Sequence, residues 1–184
     1  MKSIKSLRSQ AYKTLASQRG ASLLEGIAYL GIAAIVVLGA VSLLTGAFSS
    51  AQSNRVAEEV VSIRTGAKKL FMGQSSGYGA TGTDLMPILV SAKVLPTTIT
   101  VPAGTTTATN SWGGAVTVTA NGGNKFDIKY VGVPPDACIN ILSGASGWSA
   151  ITTTAGSIPT FPATPVDAQT ACGTATGDIT WTSL

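Results

Sequence analysis

The chain has 184 residues, 45% of them hydrophobic and only 11% charged, which is room for one domain plus appendages and far less charge than the usual quarter of a soluble domain. Of its twelve basic residues five lie in the first twenty positions, where there is no acid, and the seven that follow face eight acids. The net charge of +4 is therefore a topology signal rather than a basic binding surface, and nucleic-acid binding by the folded domain is not expected.

The leader carries Lys2, Lys5, Arg8, Lys13 and Arg19, and then comes Gly20-Ala21-Ser22-Leu23-Leu24-Glu25. From residue 26 to residue 54 there is no Asp, Glu, Lys or Arg. Residues 26–44 are uncharged and predominantly apolar, about the length that spans a hydrocarbon core of ~30 Å. The basic flank predicts that the N-terminal side stays in the cytoplasm. A cleaved secretory signal, cut near Thr45-Gly46-Ala47 or Ser49-Ser50-Ala51, fits poorly, because the apolar core exceeds the ~7–15 residues of such a segment. A permanent anchor has no use for the carboxylate of Glu25 at its apolar start, where an acid costs up to ~3 kcal/mol at mid-membrane and less near the interface. Cleavage after Gly20 answers this: it makes Glu25 the fifth residue of a mature helix and exposes an ammonium on Ala21. The helix dipole favours an acid in the first turn, and the carboxylate of one copy can neutralise the ammonium of the next and fix axial register.

On these residues the chain resembles the type IV prepilins. Gly20 matches the glycine before the prepilin-peptidase cut, Glu25 the family's glutamate at mature position five, and residues 26–44 its apolar anchor. The long leader, the absence of Phe at mature position one and the late cysteines look like the type IVb subclass. Ala21 departs from the family, which more often begins with a larger apolar residue. The resemblance implies an α+β pilin fold, a long N-terminal helix packed on an antiparallel sheet with a disulfide-bounded C-terminal region. It implies a leader at 1–20, a membrane and filament-core helix at 21–50, and a head at 51–184. The implied partners are further copies of the chain, a prepilin peptidase, an inner-membrane assembly machinery with an ATPase, and the bilayer before assembly. The implied location is the bacterial inner membrane and then an extracellular pilus serving adhesion, aggregation or conjugative contact. A minor pilin or a type II secretion pseudopilin shares this N-terminal region. A membrane-anchored binding module that does not assemble is the reading from another class.

Beyond the anchor, Val56, Val60, Ile63, Ala67 and Leu70 recur at helical spacing. Arg55, Glu58, Glu59, Arg64, Lys68 and Lys69 fall largely off that stripe and read as a solvated face. With no Pro before residue 72 and Gly73 opening a stop zone, one helix over residues 21–72 is predicted, ~75 Å long. Gly39 and Gly46 mark a stretch expected to loosen when the helix leaves lipid. A short helix is expected over residues 83–94, capped by Thr83 or Asp84 and ended by Pro96, with Leu85, Ile88, Leu89 and Val94 facing inward. Alternating residues 112–119 and 126–131 around Asn121-Gly122-Gly123-Asn124 predict a hairpin. Pro134-Pro135-Asp136 opens a helix through Cys138 that closes at Gly144. The Thr-, Ala- and Gly-rich tail is expected to be a loop-rich cover for one sheet edge, with a final strand near Asp178–Trp181.

Cys138 and Cys172 are the only cysteines. In a chain with a membrane-targeting start they predict one disulfide formed outside the cytoplasm. With no His and no CxxC no zinc site is expected, and the lack of His excludes Ser-His-Asp and Cys-His arrangements. The acids after Glu25 have no spacing for acid–base work, and no phosphate-binding glycine motif occurs. No catalytic residue, cofactor or metal is expected.

Overall fold

The computed structural model describes residues 19–122 and 124–184. The basic leader over residues 1–18 lies outside the described residues, and so does Gly123 of the hairpin turn. One helix, α1, runs Arg19–Phe71, 53 residues, unbroken through Gly39 and Gly46. It ends one residue short of expectation, just before Gly73 turns the chain at φ 87°. The chain divides into two compact units, Met1–Ala47 and Phe48–Leu184.

In the first unit every side chain from Leu23 to Ala47 is exposed. The second unit closes a core of its own. There the predicted stripe is the buried one: Val56, Val60, Ile63 and Ala67 lie in the core, and Leu70 packs partly against it. The chain then forms α2 (Met86–Ser91), β1 (Ala108–Thr109), β2 (Ala115–Ala120), β3 (Phe126–Val133), α3 (Pro135–Leu142), β4 (Ala150–Thr153), α4 (Pro165–Cys172) and β5 (Gly177–Ser183). The strands make one antiparallel sheet in the order β1-β2-β3-β5-β4.

Period-two alternation gives that sheet two unlike faces. Val118, Ile128, Trp181 and Ile151 are paired in one row across four strands, and Val116, Tyr130 and Ile179 form the next; all are buried. The opposite face carries Thr117, Thr119, Asp127, Lys129, Thr152, Thr180 and Thr182. Threonine there satisfies β-propensity while remaining solvated. Thr182 donates a hydrogen bond to Asp127 Oδ1 at 2.7 Å, and Lys129 pairs with Asp178 at 2.9 Å, so this face is laced by cross-strand polar contacts.

A single side chain builds the turn into β2. Asn110 Oδ1 accepts from the backbone N–H groups of Trp112 and Gly114, and Asn110 Nδ2 donates to the Val131 carbonyl at 2.9 Å. Gly114 is required by space, because a Cβ there would lie 1.7 Å from the Val131 oxygen.

Two expectations are corrected. The short helix is limited to Met86–Ser91, with Asp84 Oδ1 accepting from the Met86 N–H; it ends before Pro96, the chain turning at Lys93 with φ 53°. Leu85 and Leu89 are buried and Val94 is half-buried, but Ile88 is 46% exposed, because α2 is under two turns long and offers only one row to the core. The tail, in turn, is no edge cover. It supplies β4, α4 and β5, and β5 is inserted between β3 and β4 in the interior of the sheet. Thr164 caps α4 in a reciprocal box with Asp167. The Thr/Ala/Gly composition of the tail hid this helix, since its buried face is only Ala168, Ala171 and Cys172.

Candidate assembly surfaces

Two regions carry the groups that can act between molecules. In the anchor, the Gly20–Ala21 bond falls at the start of α1, and Glu25 follows in the next turn. The Tyr29 hydroxyl, one turn on, donates to Glu25 Oε1 at 3.3 Å, a weak local bond that leaves the carboxylate exposed. The sequence reading passed over Tyr29; its i+4 spacing from the only acid of the segment was the available signal. Around these polar groups Leu24, Leu30, Ile35, Leu38 and Leu43 are each at least 70% exposed. Burying one such side chain is worth about 1.5–3 kcal/mol, and nothing within the unit does so. The helix is long and apolar enough to cross a membrane.

In the head, the charges of α1 are not all solvated, contrary to expectation. Glu59 is 3% exposed, and its Oε2 accepts from the Tyr130 hydroxyl of β3 at 3.3 Å. Burial, and after it the neighbouring Glu59 charge and hydrogen bond, push the Tyr130 phenol far above its usual range. Arg64 donates from Nε to Ser183 at 3.0 Å and lays its guanidinium over the Trp148 ring at 4.7 Å. Periodicity assigns a side chain to a face; it does not reveal that β3 and β5 present a hydroxyl to a charged neighbour. Lower on α1, the Ser49 hydroxyl donates to Asp136 Oδ2 at 2.7 Å, and this bond chiefly holds the Asp136 carboxyl below its ordinary value.

The cysteines meet as a disulfide between α3 and α4, Cα–Cα 5.9 Å, across 34 residues. It staples together two helices of eight residues each, both too short to be stable alone. Among the described residues no cluster of His, Cys, Asp or Glu has metal-ligand geometry.

A family model described as PilS N terminal matches residues 50–184. The chain belongs to this family of type IV pilins. Among solved structures, the chain is similar to the type IV b pilin from Salmonella typhi, with 23% sequence identity and a TM-score of 0.54, covering 68% of this chain and 95% of that one. Comparison with curated protein sequences found no match. Membership of a pilin family fits the contrast just described, an uncovered helical run in one unit and a completed core in the other.

Proposed function

We propose that this pilin is made as a precursor in the bacterial inner membrane, leader in the cytoplasm and head in the periplasm, and that a prepilin peptidase cuts after Gly20. An assembly machinery driven by an ATPase then draws the mature chain, starting at Ala21, into an extracellular helical pilus. The helices of residues 21–50 bundle as the filament core and the heads of residues 51–184 form its surface. Glu25 of one subunit meets the Ala21 ammonium of the next. The role is structural, not enzymatic, and serves adhesion, aggregation or conjugative contact between cells.

The observation that carries this reading is a helical run of exposed leucines and isoleucines that holds one carboxylate near its start, in a chain that belongs to a pilin family. Lipid or other copies of the helix can cover such a run, but inside apolar surroundings Glu25 still needs a cation. Stretch 39–46, with its two glycines, is where the helix would loosen on leaving lipid. The test is mass measurement and N-terminal sequencing of filaments sheared from cells. A main band starting at Ala21 is the expected result. A chain retaining its basic leader, or beginning near residue 47 or 51, overturns the reading.

A further inference from the structure

Glu25 is the one charge at the head of an uncharged run, so the groups within its reach decide what it costs to take it out of water. Between Glu25 and Thr45 only Tyr29 and Ser42 carry a polar side chain. Ser42 lies ~25 Å further along the helix axis and takes no part. Tyr29 lies one turn on, about 6 Å. Side chains of a helix tilt toward its N-terminus, so the ring of Tyr29 comes back over the turn that holds Glu25, and its hydroxyl donates to Glu25 Oε1 at 3.3 Å. Phe or Leu at this position would serve packing against lipid or another helix equally well. The oxygen is what those residues lack.

In water this bond adds little, because both groups are exposed and water donates as well as a phenol does. In hydrocarbon the balance changes. Water is gone, a carboxylate without a donor is costly, and the low dielectric strengthens whatever bond remains. A tyrosine that only marks the membrane boundary turns its hydroxyl to the headgroups; this one is turned to the acid. A carboxylate accepts on both oxygens. Tyr29 takes Oε1 from within the same helix, which leaves Oε2.

We propose that Tyr29 is the positioning residue of Glu25: its hydroxyl holds Oε1 in the bilayer and in the filament, and so presents Oε2 to the Ala21 ammonium of the next copy. The inference rests on the pilus reading above. It gives the carboxylate one donor that is present before assembly and one that arrives with it. The precursor satisfies the charge in part, and it is satisfied in full only when subunits stack at the register that brings Ala21 to Oε2. Register in this arrangement belongs to a pair of residues one turn apart rather than to Glu25 alone.

The experiment has two readouts on the full chain. The first is the infrared carboxyl band of Glu25, with glutamate carrying carbon-13 at its side-chain carboxyl and the chain held in phosphatidylcholine vesicles; the band that Glu25→Ala removes is the one followed. The second is the yield of filaments sheared from cells making the wild-type chain, Tyr29→Phe or Tyr29→Leu, with head melting temperature measured for each to show that it folds. The expected result is that Tyr29→Phe shifts the Glu25 band and lowers filament yield about three- to tenfold, the range of one lost hydrogen bond, and that Tyr29→Leu does the same, since both lack the hydroxyl. Wild-type yield from Tyr29→Phe overturns the inference whatever the band does, and a loss confined to Tyr29→Leu overturns it by assigning the role to the ring. A lowered yield with an unmoved band also overturns it, because the hydroxyl then serves a group other than Glu25. Each of these outcomes leaves the pilus reading standing. Absence of wild-type filaments, or a main band that does not begin at Ala21, strikes the pilus reading itself, while the band shift still reports whether Tyr29 holds the carboxylate.

Discussion

Residues 23–47 and residues 48–71 are two stretches of a single helix, and they solve opposite problems. In the second stretch, residues three and four apart bury Val56, Val60, Ile63 and Ala67 in a core that the sheet completes. Charges off that row are either exposed or, as Glu59 and Arg64 do, find partners on β3 and β5. In the first stretch there is no row at all: apolar side chains point in every direction and all are exposed. A helix that is apolar all round is stable only in lipid or within a bundle. One stretch thus gains its stability within the chain, and the other must gain it from outside. This difference is what separates a folded protein from a polymer subunit.

The comparison can be broken most directly at Glu25. Glu25→Ala should abolish filaments, or nearly so, while processing and the thermal unfolding of the head stay unchanged; electron microscopy with calorimetry checks both, and normal filaments would contradict the register role of the carboxylate. Next in size is the staple of the head. Cys138→Ser removes a loop closure across 34 residues and should cost about 3–4 kcal/mol of head stability, read by denaturant unfolding and protease resistance. Unchanged resistance would mean that α3 and α4 hold without it.

A matched pair on α1 sharpens the contrast further. Ile63→Ala, at a fully buried site, should destabilise the head by about 3 kcal/mol. Ile35→Ala, 73% exposed, should leave head unfolding within about 0.5 kcal/mol of wild type, both measured on the full chain in detergent. An equal effect of the two would erase the distinction between the stretches. Gly66→Ala is a smaller test, since its Cβ would lie 1.9 Å from Val94 Cγ1. Overpacking of about 1–3 kcal/mol is offset by about 0.5–1 kcal/mol of helix propensity, so a net loss near 1 kcal/mol is expected in the melting curve.

The smallest effect is at Ser49. The Asp136 carboxyl is held low mainly by that hydroxyl, so its contribution to stability is present above its unfolded value and is lost as pH falls through its folded one. Ser49→Ala should therefore raise the titration of Asp136 in an NMR experiment. The stability difference between variant and wild type should exist at neutral pH and close below about pH 4. A difference that persists at lower pH would assign the effect to packing.

How far the sequence could be read depended on the range of the forces involved. Helix length, the buried stripe of α1, the first hairpin and α3 follow from periodicity, glycine and proline, whose influence extends over a few residues; so they were legible. The uncharged run after Glu25 needs no tertiary information either, since no packing can change its composition. Tertiary structure alone decided the rest. Short polar segments of the tail became β4 and α4, and the expected final strand, β5, took an interior place in the sheet, because pairing between residues far apart in sequence leaves no local pattern. Ile88 turned outward because α2 is too short to bury two rows. Glu59 became a buried acid because a tyrosine 71 positions away donates to it, a contact that composition and spacing do not encode.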